Sequence, residues 1–294
     1  MALTLARFGW QGIEFSVPSD WELNAYRGVY PDGFASLDDG LHTRLRVRWE
    51  PEKRRAADVR AARELYIRAL QKRLGRKMSL ESIGPEFLPK RFRDRHDALV
   101  FSWQARQAAI GMIWRCPERR LLGLVEVLFP GGDVDRTLSR RIFSTLADHR
   151  EDGRQLWAAY GFQFEIPGRF RLQHAELVPG RLRFHFQTGR DWLRVERWSA
   201  ASQWMKETSL DIMPEEWLKT LRTALSVTLE KAGHTLRAHA AVRFTCETRE
   251  YLLRKSHLNG LMWICAAEDR MYVAAANNAS EKEVEAVART MVCA

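Results

Sequence analysis

Three sets of residues in this chain are of types that do chemistry: four cysteines, eight histidines and a large excess of arginines. Cys116 and Cys265 each follow a tryptophan by two positions, in Trp114-Arg115-Cys116 and Trp263-Ile264-Cys265. On a strand that spacing puts both side chains on one face. Cys116 is followed by Pro117 and flanked by Arg115, Arg119 and Arg120, cations that would lower the pKa of a nucleophilic thiol. Such a thiol needs a histidine base and an acid to orient it. None lies near in sequence, although those partners need not be close along the chain. Tryptophan and cysteine sharing a strand face also make an ordinary core, and that is the expectation here. Cys246 and Cys293 form no C-x-x-C pair and have no histidine at ligand spacing, so all four cysteines are expected as small buried hydrophobes in a reducing compartment. No disulfide framework, metal site or cofactor is expected.

The histidines add no constellation. His234 and His239 are five apart, across an expected turn, and the other six are dispersed. There is no H-E-x-x-H, G-x-S-x-G, phosphate-binding lysine loop or G-x-G-x-x-G. Gly131-Gly132-Asp133 precedes a helix start that could hold an anion, but it lacks the lysine of a phosphate loop and reads as a tight turn. No catalytic residue is assigned, and the protein is expected not to be an enzyme.

The arginines are the stronger signal. The formal net charge is +10, and residues 1–150 hold 27 Lys and Arg against 19 Asp and Glu. Between Arg44 and Lys77 there are 13 basic and four acidic residues. Arg44, Arg46 and Arg48 alternate along one strand face, and Arg60, Arg63 and Arg68 decorate the helix that follows. These six are the candidate binding residues. Arg54, Arg55, Lys72, Arg73, Arg76 and Lys77 extend the same basic run. A partner with acidic groups would meet guanidinium donors there, and six or more phosphate contacts would give salt-dependent nucleic-acid binding. The plainer account is a solvated helix face with pairs such as Glu64–Arg68. Residues 151–294 carry 20 basic against 18 acidic, so the charge is not a requirement of the fold.

The elements that must position these residues are written twice. Gly12-Ile13-Glu14-Phe15-Ser16-Val17-Pro18 is echoed by Gly161-Phe162-Gln163-Phe164-Glu165-Ile166-Pro167. Leu45-Arg46-Val47-Arg48-Trp49 is echoed by Leu193 to Trp198, and the Trp-x-Cys pair recurs at the same offset of about 149 residues. Two domains follow, 1–150 and 151–294, joined by the polar run Asp148-His149-Arg150-Glu151-Asp152-Gly153. In the first, a meander of alternating strands (Ile13, Phe15, Val17; Leu45, Val47, Trp49) leads to a long helix near Glu52 to Arg73. That helix buries Val59, Ala62, Tyr66, Ala69 and Leu70, and Gly75 closes it. Strands are expected near Ile83–Leu88, Ala98–Ala105, Ile110–Cys116 and Leu121–Phe129. A last helix, capped by Asp133, then buries Val134, Leu138, Ile142 and Leu146.

In the second domain Phe162, Phe164 and Ile166 alternate, as do Leu182, Phe184 and Phe186, then Leu193 and Val195. A helix begins at Pro214 and runs to Gly233 with Trp217, Leu221, Leu225 and Thr228 inside. Strands are expected near Ala241–Thr248, Glu250–Lys255, Leu261–Ala266 and Met271–Ala275. Ser280 and Glu283 form a capping box for the final helix, which buries Val284, Val287 and Met291. Strands clustered before and after one helix make an α+β fold, two tandem copies of an antiparallel sheet packed with one long helix and a C-terminal helix. Such copies would pack about a pseudo-twofold axis. Trp103, Trp157, Trp192 and Trp204 fall outside the alternating patterns and are candidates for an interface or a pocket.

The stretches Gly12 to Leu23 and Gly161 to Leu172, with the order of elements after them, resemble the PsbP-like α/β fold family of the photosystem II extrinsic protein and the Ran-GTPase release factor. The resemblance implies a non-enzymatic fold used for protein contacts. This chain departs from it in its duplication, its basic helix and the lack of an export signal, and no functional residue is carried over. Met1 to Ala6 is too short and too soon interrupted by Arg7 to act as a secretory core, and no apolar run reaches a membrane span, so a cytoplasmic protein is expected. The function expected is that of a tandem-repeat adaptor for a protein partner. The alternative is a nucleic-acid-binding module built on the basic helix.

Overall fold

The computed structural model of the protein describes residues 4–52, 58–74, 78–221, 229–250 and 254–292. Two compact units divide the chain, Met1–Tyr160 and Gly161–Ala294. Both are built mostly of antiparallel strands with few helices.

The first unit opens with β1 (Leu5–Trp10) and β2 (Ile13–Pro18), a hairpin whose alternation buries Ile13, Phe15 and Val17. The meander β3 (Glu22–Arg27), β4 (Gly33–Asp38) and β5 (Thr43–Pro51) follows, then α1 (Val59–Leu74). After β6 (Ser79–Ile83) and the short α2 (Lys90–Arg93) come β7 (Asp97–Gln104), β8 (Ala108–Cys116) and β9 (Leu121–Phe129). The last elements are α3 (Arg136–Thr145) and β10 (Arg154–Ala159). β3 to β9 form one seven-stranded sheet in the order 3-4-5-9-8-7-6. α1 lies on one of its faces, where Ile67 and Leu70 pack with Phe101, Trp103, Ala109, Ile113 and Leu128. β5 separates the two faces by period two: Leu45, Val47 and Trp49 are fully buried, while Arg44, Arg46 and Arg48 turn to the α1 side.

The second unit repeats the plan: β11 (Phe162–Pro167), then β12 (Arg171–Val178), β13 (Arg181–Thr188) and β14 (Asp191–Ser199). Two short helices, α4 (Ala201–Glu207) and α5 (Met213–Lys219), stand where the first unit has α1. β15 (Leu229–Leu236), β16 (His239–Glu250), β17 (Arg254–Cys265), β18 (Arg270–Asn277) and α6 (Glu281–Ala288) complete it. Its seven-stranded sheet has the order 12-13-14-18-17-16-15, strand for strand that of the first. Packing keys recur too. Gly111 leaves room for the Phe101 ring and Gly260 for the Phe244 ring, and a Cβ at either would lie 2.6 Å or less from the ring.

Several expectations change. The helix from Pro214 ends at Lys219, and Gly233 lies in β15 opposite Val242 rather than at a helix end. The cause is the two-residue turn Arg237-Ala238, both with positive φ (49° and 66°), which folds Leu229–Leu236 back as a hairpin on β16. Leu225 and Thr228 lie outside the described residues, as do Arg54, Arg55, Arg76, Lys77 and Cys293. The strand expected over Ile83–Leu88 ends at Ile83, because Pro85 starts a 3-10 turn through Phe87. The cap of α3 is Asp135, which accepts from the Leu138 backbone N–H at 2.8 Å, and Val134 is exposed. Glu250–Lys255 is no separate strand, since β16 and β17 run on to meet at Glu250 and Arg254. The capping box of Ser280 and Glu283 stands as expected.

The polar run after α3 is more than a connector. Asp148 and His149 are 5% and 8% exposed, and β10 beyond them pairs with β1 through Gly9 and Ala158. Trp103 and Trp157 are core residues, Trp192 is partly buried and Trp204 is exposed. Among the described residues no helix is long and apolar enough to cross a membrane.

Candidate functional site

Two places in the first unit gather side chains with chemistry. The first is the space between α1 and the sheet. Tyr66 points down from α1 and donates its hydroxyl to Glu126 Oε1 at 2.5 Å, while Trp103 Nε1 donates to the same oxygen at 2.8 Å. Glu126 is 4% exposed, so these two donors hold a carboxylate inside the sheet–helix layer. Burial, reinforced by the Glu126 charge, pushes the Tyr66 phenol above the ordinary tyrosine range, so it stays a donor. Beside this pair lies a cleft of about 420 Å³ walled by Phe34, Leu70 and Leu124 and flanked by Arg46, Arg48 and Arg73. Arg46 is the cross-strand neighbour of Glu126, yet neither Arg46 nor Arg73 makes an ion pair among the described residues. Arg48 is held by Glu50 at 2.9 Å.

The six candidate arginines therefore divide. Arg46 and Arg48 line the cleft, joined by Arg73. Arg44 sits over the Trp21 ring and pairs with Asp39 at 3.2 Å. Arg63 reaches Ser82 on β6 at 3.1 Å. Arg60 and Arg68 are on the exposed side of α1, Arg68 3.7 Å from Glu64.

The second place was hidden from sequence reasoning. Cys116 at the end of β8, His96 just after α2, and Asp148 with His149 after α3 come together, all four buried. One potential donor atom of each lies within 4.8 Å of all the others. His149 Nδ1 is 2.6 Å from Asp148 Oδ1 and 3.7 Å from Cys116 Sγ, and His96 Nε2 is 3.2 Å from Asp148 Oδ1. The far side of three of the four is also engaged. His96 Nδ1 is 3.0 Å from the Phe92 carbonyl, His149 Nε2 is 2.8 Å from Glu118 Oε2, and Trp114 Nε1 donates to Asp148 Oδ2 at 3.0 Å. Arg95 closes the outside, 2.6 Å from His149 Nε2 and 3.3 Å from both Glu118 and Glu151.

The electrostatics of the group follow from its burial. Desolvation works against a charged Asp148, but hydrogen bonds from His149 and His96 hold its carboxyl well below the usual carboxylate range. Desolvation likewise opposes a charged His96, and Asp148, Cys116 and the Phe92 carbonyl together overcome it, raising the imidazole to about 9. No histidine stands near Cys116 in sequence. The signal that could have exposed the site is Asp148-His149 itself, two residues able to share a buried cluster that immediately follow a capped helix.

No family model matches the chain, and no curated protein matches it. Among solved structures it is similar to the immunity protein TplEi of T6SS from Pseudomonas aeruginosa, determined in complex with an "L" peptide. That alignment has 10% identity over 98% of this chain and 97% of that one, at a TM-score of 0.32, a likeness too slight to argue from.

Proposed function

We propose that this is a non-enzymatic binding protein that takes an acidic segment of a protein partner into the cleft between α1 and the first seven-stranded sheet. The observation that carries this reading is the state of Arg46 and Arg73. Both border a cleft of about 420 Å³, and neither has an ion-pair partner among the described residues. Guanidinium groups bind carboxylates through paired, directional hydrogen bonds. The apolar walls supply the rest of a peptide's contact, and the volume is that of a ligand site. Glu126 also borders the cleft, where Tyr66 and Trp103 occupy one of its oxygens and Arg46 lies beside it on the neighbouring strand. The PsbP-like resemblance, with its protein-contact role, supports the same reading, and a cytoplasmic setting accords with it.

The test compares material captured from source lysate by the wild-type protein and by an Arg46→Glu, Arg73→Glu variant, each with and without nuclease. A stoichiometric protein that survives nuclease and is lost from the variant is the expected result. Equal capture by both proteins would refute the cleft. Loss of everything on nuclease treatment would instead favour nucleic acid, on the exposed face of α1 that carries Arg60 and Arg68.

A further inference from the structure

We infer that His96, Cys116, Asp148 and His149 form a structural site for a thiophilic divalent metal ion, zinc first among them. The donor set is one sulfur, two imidazole nitrogens and one carboxylate oxygen, all on buried residues and all within 4.8 Å of one another. Zinc binds such donors tetrahedrally, with edges of about 3.3 Å between nitrogen and oxygen donors and about 3.6 Å to sulfur. Two of the observed separations already have these values: 3.2 Å from His96 Nε2 to Asp148 Oδ1 and 3.7 Å from Cys116 Sγ to His149 Nδ1. The 2.6 Å between His149 Nδ1 and Asp148 Oδ1 has to open by about 0.7 Å. Calcium and magnesium prefer all-oxygen sites, so the thiol and imidazoles select against them.

A second observation is independent of those distances. Three of the four donor groups, both histidines and Asp148, are fixed from behind as metal ligands are. His96 Nδ1–H must donate to the Phe92 carbonyl, because a carbonyl only accepts, so Nε2 is the nitrogen that faces the centre, and a bound metal would replace the proton it shares with Asp148. His149 Nε2 lies 2.8 Å from Glu118 and 2.6 Å from Arg95, so metal at Nδ1 requires Nε2–H to go to Glu118 and Arg95 to draw back onto Glu118 and Glu151. Trp114 anchors the second oxygen of Asp148. A thiolate and a carboxylate together neutralise a divalent cation, so the loaded site holds no net buried charge. A recess of about 200 Å³, lined by Arg91, Arg95, His96, Asp148 and His149 among others, reaches three of the four ligands and gives the ion its way in. Four protein ligands leave no open position, which makes the role structural rather than catalytic. The ion would tie α2, the end of β8 and the chain entering β10 at one point.

The test uses the full-length protein stripped with a chelator and titrated with cobalt(II). One equivalent is expected to give the intense visible bands of tetrahedral cobalt with a thiolate-to-cobalt charge-transfer band, and one equivalent of zinc should abolish both. Cys116→Ser should lose the charge-transfer band, and Cys265→Ser, at the matching place in the second unit, should keep it. Should Cys116→Ser fail to fold by circular dichroism, Glu118→Gln decides. It retains every ligand and should weaken zinc binding about 10- to 100-fold while the cobalt bands remain. Absence of a tetrahedral cobalt spectrum, a charge-transfer band that survives in Cys116→Ser, or unchanged zinc affinity in Glu118→Gln would each overturn the site. The cluster would then be a buried hydrogen-bonded ion network and no more.

Discussion

The two seven-stranded sheets share one strand order, but they bury their charge differently. In the first, the carboxylate under the helix is Glu126 on β9, and it is satisfied by the neutral donors Tyr66 and Trp103. In the second, the residue in the matching ladder position is Ala275, and the buried carboxylate has moved to Glu196 on β14, the counterpart of Arg48. Glu196 is wholly buried and takes N–H groups from Trp198, Trp217, Arg181 and Arg183, with Arg194 3.8 Å away. One position thus carries an exposed cation paired with Glu50 in one copy and a buried, saturated anion in the other. The ends of β8 and β17 diverge in the same way. Thr145 and Thr290 both accept from a strand N–H, those of Ser16 and Glu165, so Asp148 and His149 correspond to Cys293 and Ala294. In sequence the second copy keeps the thiol at Cys265 but has alanine where the first has His149. A duplicated frame tolerates such changes because the glycine–phenylalanine contacts and ladders that define it are elsewhere.

The largest test of this contrast is removal of the two carboxylates. Glu196→Ala leaves Arg181, Arg183 and Arg194 facing one another and should cost about 3–5 kcal/mol in urea unfolding. Glu126→Gln, whose partners are neutral, should cost about 1–2 kcal/mol. Equal losses would break the distinction. Next is pH. His185, on the helix side of β13 near Arg194, His174 and Arg183, is held down at about 4, first by burial and then by those cations. The unfolded chain therefore binds a proton that the folded one refuses, and stability should fall as pH drops from about 6.5 to about 4, by about 1–2 kcal/mol once solvent screening of this half-buried ring is counted. The first copy has Ser36 at this position, and His185→Ser should flatten that part of the pH profile. Gly111→Ala and Gly260→Ala test what the copies share, and each should cost about 1–3 kcal/mol by displacing a buried phenylalanine. A large loss in one copy alone would show that their cores have diverged as well. The smallest effects belong to the caps: Asp135→Ala and Ser280→Ala should each lower stability by about 1 kcal/mol.

What could be read in the residues was what repeats or alternates. The echo of Gly12 to Pro18 by Gly161 to Pro167 carried over into matching strand orders, and the alternation of β5 placed Arg46 and Arg48 on one face. The hairpin at Arg237-Ala238 was concealed because its positive φ angles fall on residues that do not advertise them, where Asn-Gly or Asp-Gly would have. Leu229 to Gly233 therefore reads as the end of a helix. The Cys116 cluster was concealed for a different reason. Its members come from three separate places in the chain, and a polar run with no apolar period looks like a connector until Trp114 is seen donating to Asp148. Arg46 was found by its pattern, while Arg73 joined it only once α1 was laid on the sheet.

The pairing of β1 with β10 has one more consequence. Gly9 sits opposite Ala158, the residue that occupies its own place in the second copy, so this strand pairs with its own repetition. The approach is so close that a Cβ on Gly9 would lie 2.7 Å from the Leu156 backbone. β10 therefore belongs to the first unit by its pairing although its sequence repeats β1, and a larger residue at position 9 would push it off that strand.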